Sequence, residues 1–256
     1  MMKCDKVHAY WNSRAGLGFS AGTKDIISKQ LEIEAISKYV SDGMRVLDAG
    51  CGNGITAIEI AKNFDVHLVG FDFAEEMIEE AKLTAASTKL KGSATFHIAN
   101  IKNVPKILGA FDLIYTERAL INLASWREQK QAIEDISQFL IDSGIYVMCE
   151  NSQDGLDKIN QFRGNLGLIK IDPPWHNRYL LDSEIEQCII PGIKLETTEH
   201  FTSTYYFLSR VVNAWLAAQE DLEPDYNAPV NQLALKLPPI GELAQTRIWL
   251  WRKTTG

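Results

Sequence analysis

Val46-Leu47-Asp48-Ala49-Gly50-Cys51-Gly52-Asn53-Gly54 carries an apolar strand directly into three glycines at alternate positions. Glycine has no Cβ, so such a run turns sharply and lets a ligand lie against bare backbone. At the carboxyl end of a strand this creates a binding crevice of the kind found where an open α/β sheet reverses its order. The residues that follow, 55–63, read as a helix. A second strand, His67–Phe71, ends in an acidic residue, Asp72, which lies twenty-two positions after Gly50.

Outward from this centre, short β-rich runs alternate with helical stretches, the pattern of a parallel sheet covered on both faces. A helix over 75–86 leads to a strand at 94–99, and a fourth strand at 112–116 follows the loop around Gly109. A helix over 126–140 is expected to stop at Asp142-Ser143-Gly144, before a fifth strand at 145–150. Residues 151–192 break the alternation. A strand at 195–202, a helix at 205–219, a loop marked by Pro224, Pro229, Pro238 and Pro239, and a last strand at 247–252 complete the chain. Upstream, Thr23 or Asp25 caps a helix whose apolar positions run from Ile26 to Val40.

The glycine turn does not fit the dinucleotide fingerprint, because the third small residue of GxGxxG would fall on Ile55. A nicotinamide oxidoreductase is thereby demoted. The turn instead resembles the first motif of class I S-adenosylmethionine-dependent methyltransferases. Asp72 after strand two, Asn100-Ile101 after strand three and Phe111–Glu117 match further motifs of that family in register. The resemblance implies a three-layer, Rossmann-like α/β fold, mostly parallel with an antiparallel last strand. It implies one domain over 1–256: an N-terminal lid (1–40), a cofactor-binding core (41–151), an inserted substrate cap (152–193) and a C-terminal part of the core (194–256). S-adenosylmethionine is the implied cofactor, leaving as S-adenosylhomocysteine. Its expected contacts are Asp48, Gly50, Cys51, Gly52, Asp72 on the ribose hydroxyls, Phe73, Met77, Asn100 and Ile101 at the adenine, and Thr116. In small-molecule members of the family an N-terminal segment closes over the cofactor, so Tyr10 or Trp11 would cover it and Arg14 would meet its carboxylate. Asn100 stands where the family commonly has an acidic residue.

The methyl acceptor is expected at the carboxyl ends of strands four and five, or in the cap. Glu117 and His176 are the candidate bases, since a hydroxyl or protonated nitrogen must lose a proton. Tyr10, Arg118, Asn122, Glu150, Arg163 and Asn177 are the candidate acceptor contacts, with the two arginines suited to a carboxylate or phosphate. Each has a plainer reading: Glu117 and Arg118 as a capping pair, Glu150 as surface, His176 as a pin for the cap, Tyr10 and Trp11 as an aromatic staple. Asp172-Pro173-Pro174-Trp175 matches the signature of amino-methyltransferases acting on adenine in nucleic acid, but there it ends strand four, a place held here by Thr116-Glu117-Arg118. Further similarity to a bacterial, polysaccharide-linked subgroup rests on Trp11–Ala15, Gly22–Asp25, Leu31–Ile33, Glu117–Leu123 and Trp175–Asn177. It suggests a sugar, nucleotide-linked or other small polar acceptor, methylated on O or N.

Composition narrows the field. The chain has 256 residues, 46% hydrophobic and 23% charged, with a net charge of −7. The acidic balance and the lack of a basic, aromatic-interleaved stretch argue against nucleic acid. Four scattered cysteines without CxxC spacing argue against a zinc site or a disulfide framework, and no metal is expected. The N-terminus leads into no apolar signal region, and no apolar run is long enough to span a membrane, so a cytoplasmic enzyme is expected. Oligomeric state is not encoded legibly. A protein or nucleic-acid methyltransferase, or a module that binds the cofactor without turnover, stands as the alternative.

Overall fold

The computed structural model describes residues 3–105 and 109–254. The outermost residues of the lid and of the C-terminal part, Met1, Met2, Thr255 and Gly256, lie outside that range. Helix α1 (Lys3–Asn12) and a 3₁₀ segment (Ala15–Ala21) precede α2 (Ile26–Ser37). Asp25, not Thr23, caps α2: its side chain accepts from the Ser28 N–H at 3.0 Å. Then follow β1 (Arg45–Ala49), α3 (Ile55–Asn63), β2 (His67–Asp72), α4 (Glu75–Ser87), β3 (Ser93–Ile98) and β4 (Phe111–Glu117). The rest is α5 (Trp126–Ser137), β5 (Leu140–Asn151), α6 (Gln153–Asn165), α7 (Asp182–Glu186), β6 (Ile193–Glu199), α8 (Ser203–Phe207), α9 (Ala214–Gln219), α10 (Pro229–Ala234) and β7 (Thr246–Lys253).

The seven strands form one sheet in the order β3-β2-β1-β4-β5-β7-β6. Strands β1 to β5 pair in parallel, whereas β7 runs antiparallel to both of its neighbours. Alternate side chains leave the sheet on opposite faces. Leu47, Ile114, Tyr146, Met148 and Trp249 pack with Ile133 and Ile136 of α5 on one side. Val46, Leu68, Leu113, Val147 and Ile248 pack with Ile36, Ile60 and Ile78 on the other. Each such buried aliphatic contributes about 1.5–3 kcal/mol relative to exposure, which makes the central strands the rigid base for whatever sits at their carboxyl ends. The three-layer, mostly parallel sheet with an antiparallel last strand is as the sequence predicts.

Two local expectations need correction. Helix α5 ends at Ser137, and Asp142-Ser143-Gly144 lies inside β5 instead of stopping a helix. Ser143 has φ 64, and the β4–β5 register shifts between Phe111 and Leu113. A turn-like triplet thus makes a bulge within a strand. The helix expected over 205–219 begins at Ser203 and is interrupted by a π-helical segment, Leu208–Asn213. Short π segments often mark functional sites; this one directs Arg210 toward the cavity described next. The proline-marked loop also holds α10, with Pro229 in its first turn, where the missing N–H costs nothing.

Candidate active site

The exits of β3, β2, β1 and β4 open into one cavity of about 410 Å³. At its centre the glycine turn leaves β1. Gly50 has φ +87 and a Cβ there would meet the Ala119 Cβ at 2.5 Å, so only glycine fits both the turn and its packing. Gly52, at φ +52, has nothing within 4 Å of where its Cβ would be, and its bare backbone fronts the cavity. The Gly50 and Cys51 N–H groups donate to the Phe71 carbonyl at 2.8 and 2.9 Å, tying the turn to β2.

Asp72 stands at the end of β2 and lines the cavity. Its carboxylate accepts from the Gly52 N–H and the Ala74 N–H, both at 2.9 Å. Burial raises its pKa, and these backbone donors oppose the rise. Asp48, on β1 beneath the turn, is pushed up to about 8 by burial, only partly offset by the Tyr115 hydroxyl that donates to it at 2.7 Å. Trp11, Asp48, Gly50, Cys51, Gly52, Phe73, Met77, Asn100 and Ile101 all line the same cavity. The structure thus brings most of the expected cofactor contacts together around one cavity.

Two expected cofactor contacts do not line it. Thr116 is fully buried in β4 and its hydroxyl pairs with that of Tyr146 at 3.1 Å. Arg14 donates to the carbonyls of Ser20 and Ala21 and lies over the Tyr10 ring, so its guanidinium braces the 3₁₀ segment. Glu150 and Arg163 are likewise absent from the lining. Glu150 is completely buried and accepts from the N–H groups of Ala119 and Leu120, each at 3.0 Å, which fixes the loop after β4. Burial raises it to about 7. Arg163, on α6, donates to the carbonyls of Ile169 and Arg210. A strand-end acid and a helix arginine look alike in sequence whether they face ligand or backbone.

Glu117 does reach the cavity, but both of its carboxylate oxygens are engaged. Lys29 donates to Oε1 at 2.6 Å and Thr56 to Oε2 at 2.5 Å, while Lys29 also donates to Thr56 at 2.7 Å. Burial alone would raise Glu117; the Lys29 ammonium, Glu32 and Arg118 outweigh it and hold the group below the usual carboxylate range. Glu32 on α2 moves the opposite way, raised by burial and by the neighbouring Glu117 charge. Two carboxyls this close push each other's titration apart, Glu32 up and Glu117 down. A carboxylate so held is a poor base near neutrality. Arg118 has φ +52. Its Nε lies 3.1 Å from Glu32 and its Nη1 donates to the Gly22 carbonyl at 3.2 Å.

The roof is aromatic. The Tyr10 and His176 rings are 4.6 Å apart, centroid to centroid, Trp11 and His176 5.6 Å, and Trp11 Nε1 donates to Asn122 Oδ1 at 3.1 Å. Helix α1 and the 174–179 segment meet here, and Tyr10, Asn122, His176 and Asn177 all line the cavity. His176 is only 4% exposed. In the Asp-Pro-Pro-Trp run, by contrast, Asp172 pairs with Lys170 on the surface and Trp175 is half exposed.

Sequence reasoning missed a second group. Ser28 and Lys29 of α2, Asn151, Tyr179, Tyr206, Arg210 and Gln245 also line the cavity. Ser28, Lys29 and Glu32 share one face of α2, where Ser28 and Glu32 are buried. That i, i+4 polar pair, Ser28 donating to Glu32 at 3.2 Å, was the available signal. The others come from four separate segments of the chain, with Tyr206 and Arg210 on one helical stretch.

A sequence profile for a family described as a methyltransferase domain matches residues 40–171, just over half of the chain. The chain belongs to this methyltransferase domain family. It is 26% identical over 132 residues to an O-methyltransferase of Aspergillus sclerotiorum, a match covering 51% of this chain and 47% of that protein. It is 38% identical over 78 residues to the ribosomal protein L11 methyltransferase of Aquifex aeolicus, covering 30% of this chain and 31% of that one. The chain spans just under half the length of the curated relatives it matches first. Among solved structures it resembles magnesium protoporphyrin IX methyltransferase from Synechocystis with bound S-adenosylhomocysteine, at TM-score 0.63 and 15% identity, over 98% of this chain and 99% of that one. What the chain shares with that structure is the fold. No helix among the described residues is long and apolar enough to cross a membrane.

Proposed function

We propose that this methyltransferase moves the methyl group of S-adenosylmethionine to an oxygen of a small polar molecule. The cofactor fits the residues present. Bare backbone at Gly52 and a cavity-lining carboxylate at Asp72 suit an adenosyl group whose ribose hydroxyls need an acceptor, and Phe73, Met77, Asn100 and Ile101 offer a flat, mixed surface for its base. When bound, the cofactor supplies an electrophilic methyl group. The chain's own work is then to orient, to exclude water and to receive a proton.

The observation that carries the small-molecule reading is the enclosure of the acceptor end. The cavity continues past Glu117 between Asn151, Tyr179, Tyr206 and Gln245, all more than nine-tenths buried yet lining it, beneath the roof of Tyr10, Trp11 and His176. Pockets of this type take small ligands, with a few placed polar groups setting orientation. The likeness to an O-methyltransferase supports oxygen as the acceptor atom. His176 takes the acceptor's proton, the role that Glu117 cannot fill, and Asn122, Asn177 and Arg118 flank the acceptor. The lid (1–40) and the cap (152–193) close the site over the core. Placing donor and acceptor within this enclosure supplies much of the rate, since well-oriented reactions gain the equivalent of roughly 7–11 kcal/mol.

Incubation with methyl-labelled S-adenosylmethionine and fractionated cell extract tests the reading. Label is expected in a low-molecular-mass fraction and to be retained as a methyl ether. Label confined to protein or nucleic acid overturns it.

A further inference from the structure

The cofactor's amino-acid tail carries an ammonium and a carboxylate, and both need partners once buried. Arg14, the residue expected for the carboxylate, is committed to the Ser20 and Ala21 carbonyls. Among the described residues, the Arg, Lys and His side chains lining the cavity are Lys29, Lys102, Arg118, Arg210 and His176. Arg118 lies beside the Glu32 carboxyl, Nε at 3.1 Å, and donates from Nη1 to the Gly22 carbonyl. Arg210 donates to Asp25 at 2.5 Å and to Ser209 at 2.6 Å and lies against the rings of Tyr206 and Tyr226. Lys102 follows Asn100-Ile101 at the opposite end and pairs with Glu128, and His176 belongs to the roof.

Lys29 differs from these. Its ammonium has three N–H donors; two go to Thr56 and Glu117, and the third has no protein partner among the described residues. It is also in the right place. The sheet order sets the exits of β3, β2, β1 and β4 in a row. With the base at Asn100-Ile101 and the ribose at Asp72, the tail passes over the glycine turn and arrives at the end of β4. That is two strand spacings from β2, about 10 Å. There it meets a buried pair of opposite charges, Lys29 and Glu117, whose side chains are 13% and 6% exposed.

We propose that Lys29 and Glu117 together form the receptor for the cofactor's amino-acid tail, Lys29 donating to its carboxylate and Glu117 accepting from its ammonium. Thr56, at the start of α3, holds the two in register. This rests on the placement of the adenosyl group given above. It reassigns Glu117 from acceptor chemistry to cofactor recognition, and it moves carboxylate recognition from Arg14 to Lys29 on α2.

Calorimetry with three ligands separates the parts. S-adenosylhomocysteine has both charges, decarboxylated S-adenosylmethionine keeps the ammonium alone, and 5′-methylthioadenosine has neither. Lys29→Met is expected to weaken S-adenosylhomocysteine roughly 10- to 100-fold, the scale of a lost charge-assisted hydrogen bond, and to leave the other two within about twofold. Glu117→Gln is expected to weaken S-adenosylhomocysteine and decarboxylated S-adenosylmethionine but not 5′-methylthioadenosine. The double variant, which buries no unpaired charge, guards against misfolding and is expected to bind 5′-methylthioadenosine normally. The proposal is overturned if a folded Lys29→Met or double variant binds S-adenosylhomocysteine like the unaltered protein, or loses all three ligands equally. Failure of the unaltered protein to bind any of the three would instead refute the cofactor placement itself.

Discussion

The two ends of the cavity are built in different ways. The end proposed for the cofactor is made of backbone and of short, consecutive pieces at strand ends: Gly50 to Gly52, Asp72-Phe73 and Asn100-Ile101. The end proposed for the acceptor is made of side chains delivered from far apart, with Ser28 from α2, Asn151 from β5, Tyr179 from the loop before α7, Tyr206 from α8 and Gln245 from the approach to β7. The first kind of site is fixed by topology and by whether a Cβ is present. The second depends on how every crossing element packs, and can change its ligand without disturbing the sheet. Function at one end can therefore be read from the fold, while at the other it must be read from individual side chains.

Substitutions that separate the ends test this division. His176→Gln is expected to lower turnover roughly 100- to 10,000-fold, the usual range for a lost acid–base group, with S-adenosylhomocysteine affinity unchanged in calorimetry. A parallel loss of that affinity would mean the roof serves the cofactor instead. Next in size is a pH effect on the acceptor side. Glu150 sits at about 7 when folded, against 4.5 as an isolated group. Between those values the folded protein keeps a proton that the unfolded chain releases, so this group costs stability as pH rises. It costs nothing below about 4.5. Glu150→Gln is thus expected to gain on the unaltered protein by about 3 kcal/mol from pH 4.5 to 7 in denaturant titrations; a constant difference across that range contradicts the burial argument. Asp72→Ala is expected to weaken S-adenosylhomocysteine and 5′-methylthioadenosine equally, by about 1.5–3 kcal/mol. An unequal loss places the ribose elsewhere.

The same division explains what was legible. The alternation of strands and helices and the glycine turn follow from apolar runs and glycine spacing, which report local backbone conformation and burial. Asp72 and Asn100 were found because a strand end fixes where the next residue points. Arg14, Glu150 and Arg163 went astray because a polar side chain next to a site can satisfy buried backbone as easily as a ligand, and here the carbonyls of Ser20, Ala21, Ile169 and Arg210 and the N–H groups of Ala119 and Leu120 claimed them. Lys29 was overlooked because a lysine on a helix is ordinarily solvated; only the arrival of Thr56 and Glu117 beside it, 27 and 88 residues away, makes it otherwise. The Asp142-Ser143-Gly144 bulge shows the complementary limit, since turn chemistry does not say whether the turn lies between elements or inside one.

The fastening of the first turns of chain has a kinetic meaning. Asn53 donates to the carbonyls of Ala15 and Gly18 at 3.2 and 3.0 Å, His8 pairs with Glu75 at 2.7 Å, and Trp11 is tied to Asn122. These clasps tie the first turns of chain to the glycine turn, to α4 and to the loop after β4. On the placement proposed above, release of the demethylated product would require several of them to open together, and that unlatching, not bond-making, would then pace the cycle.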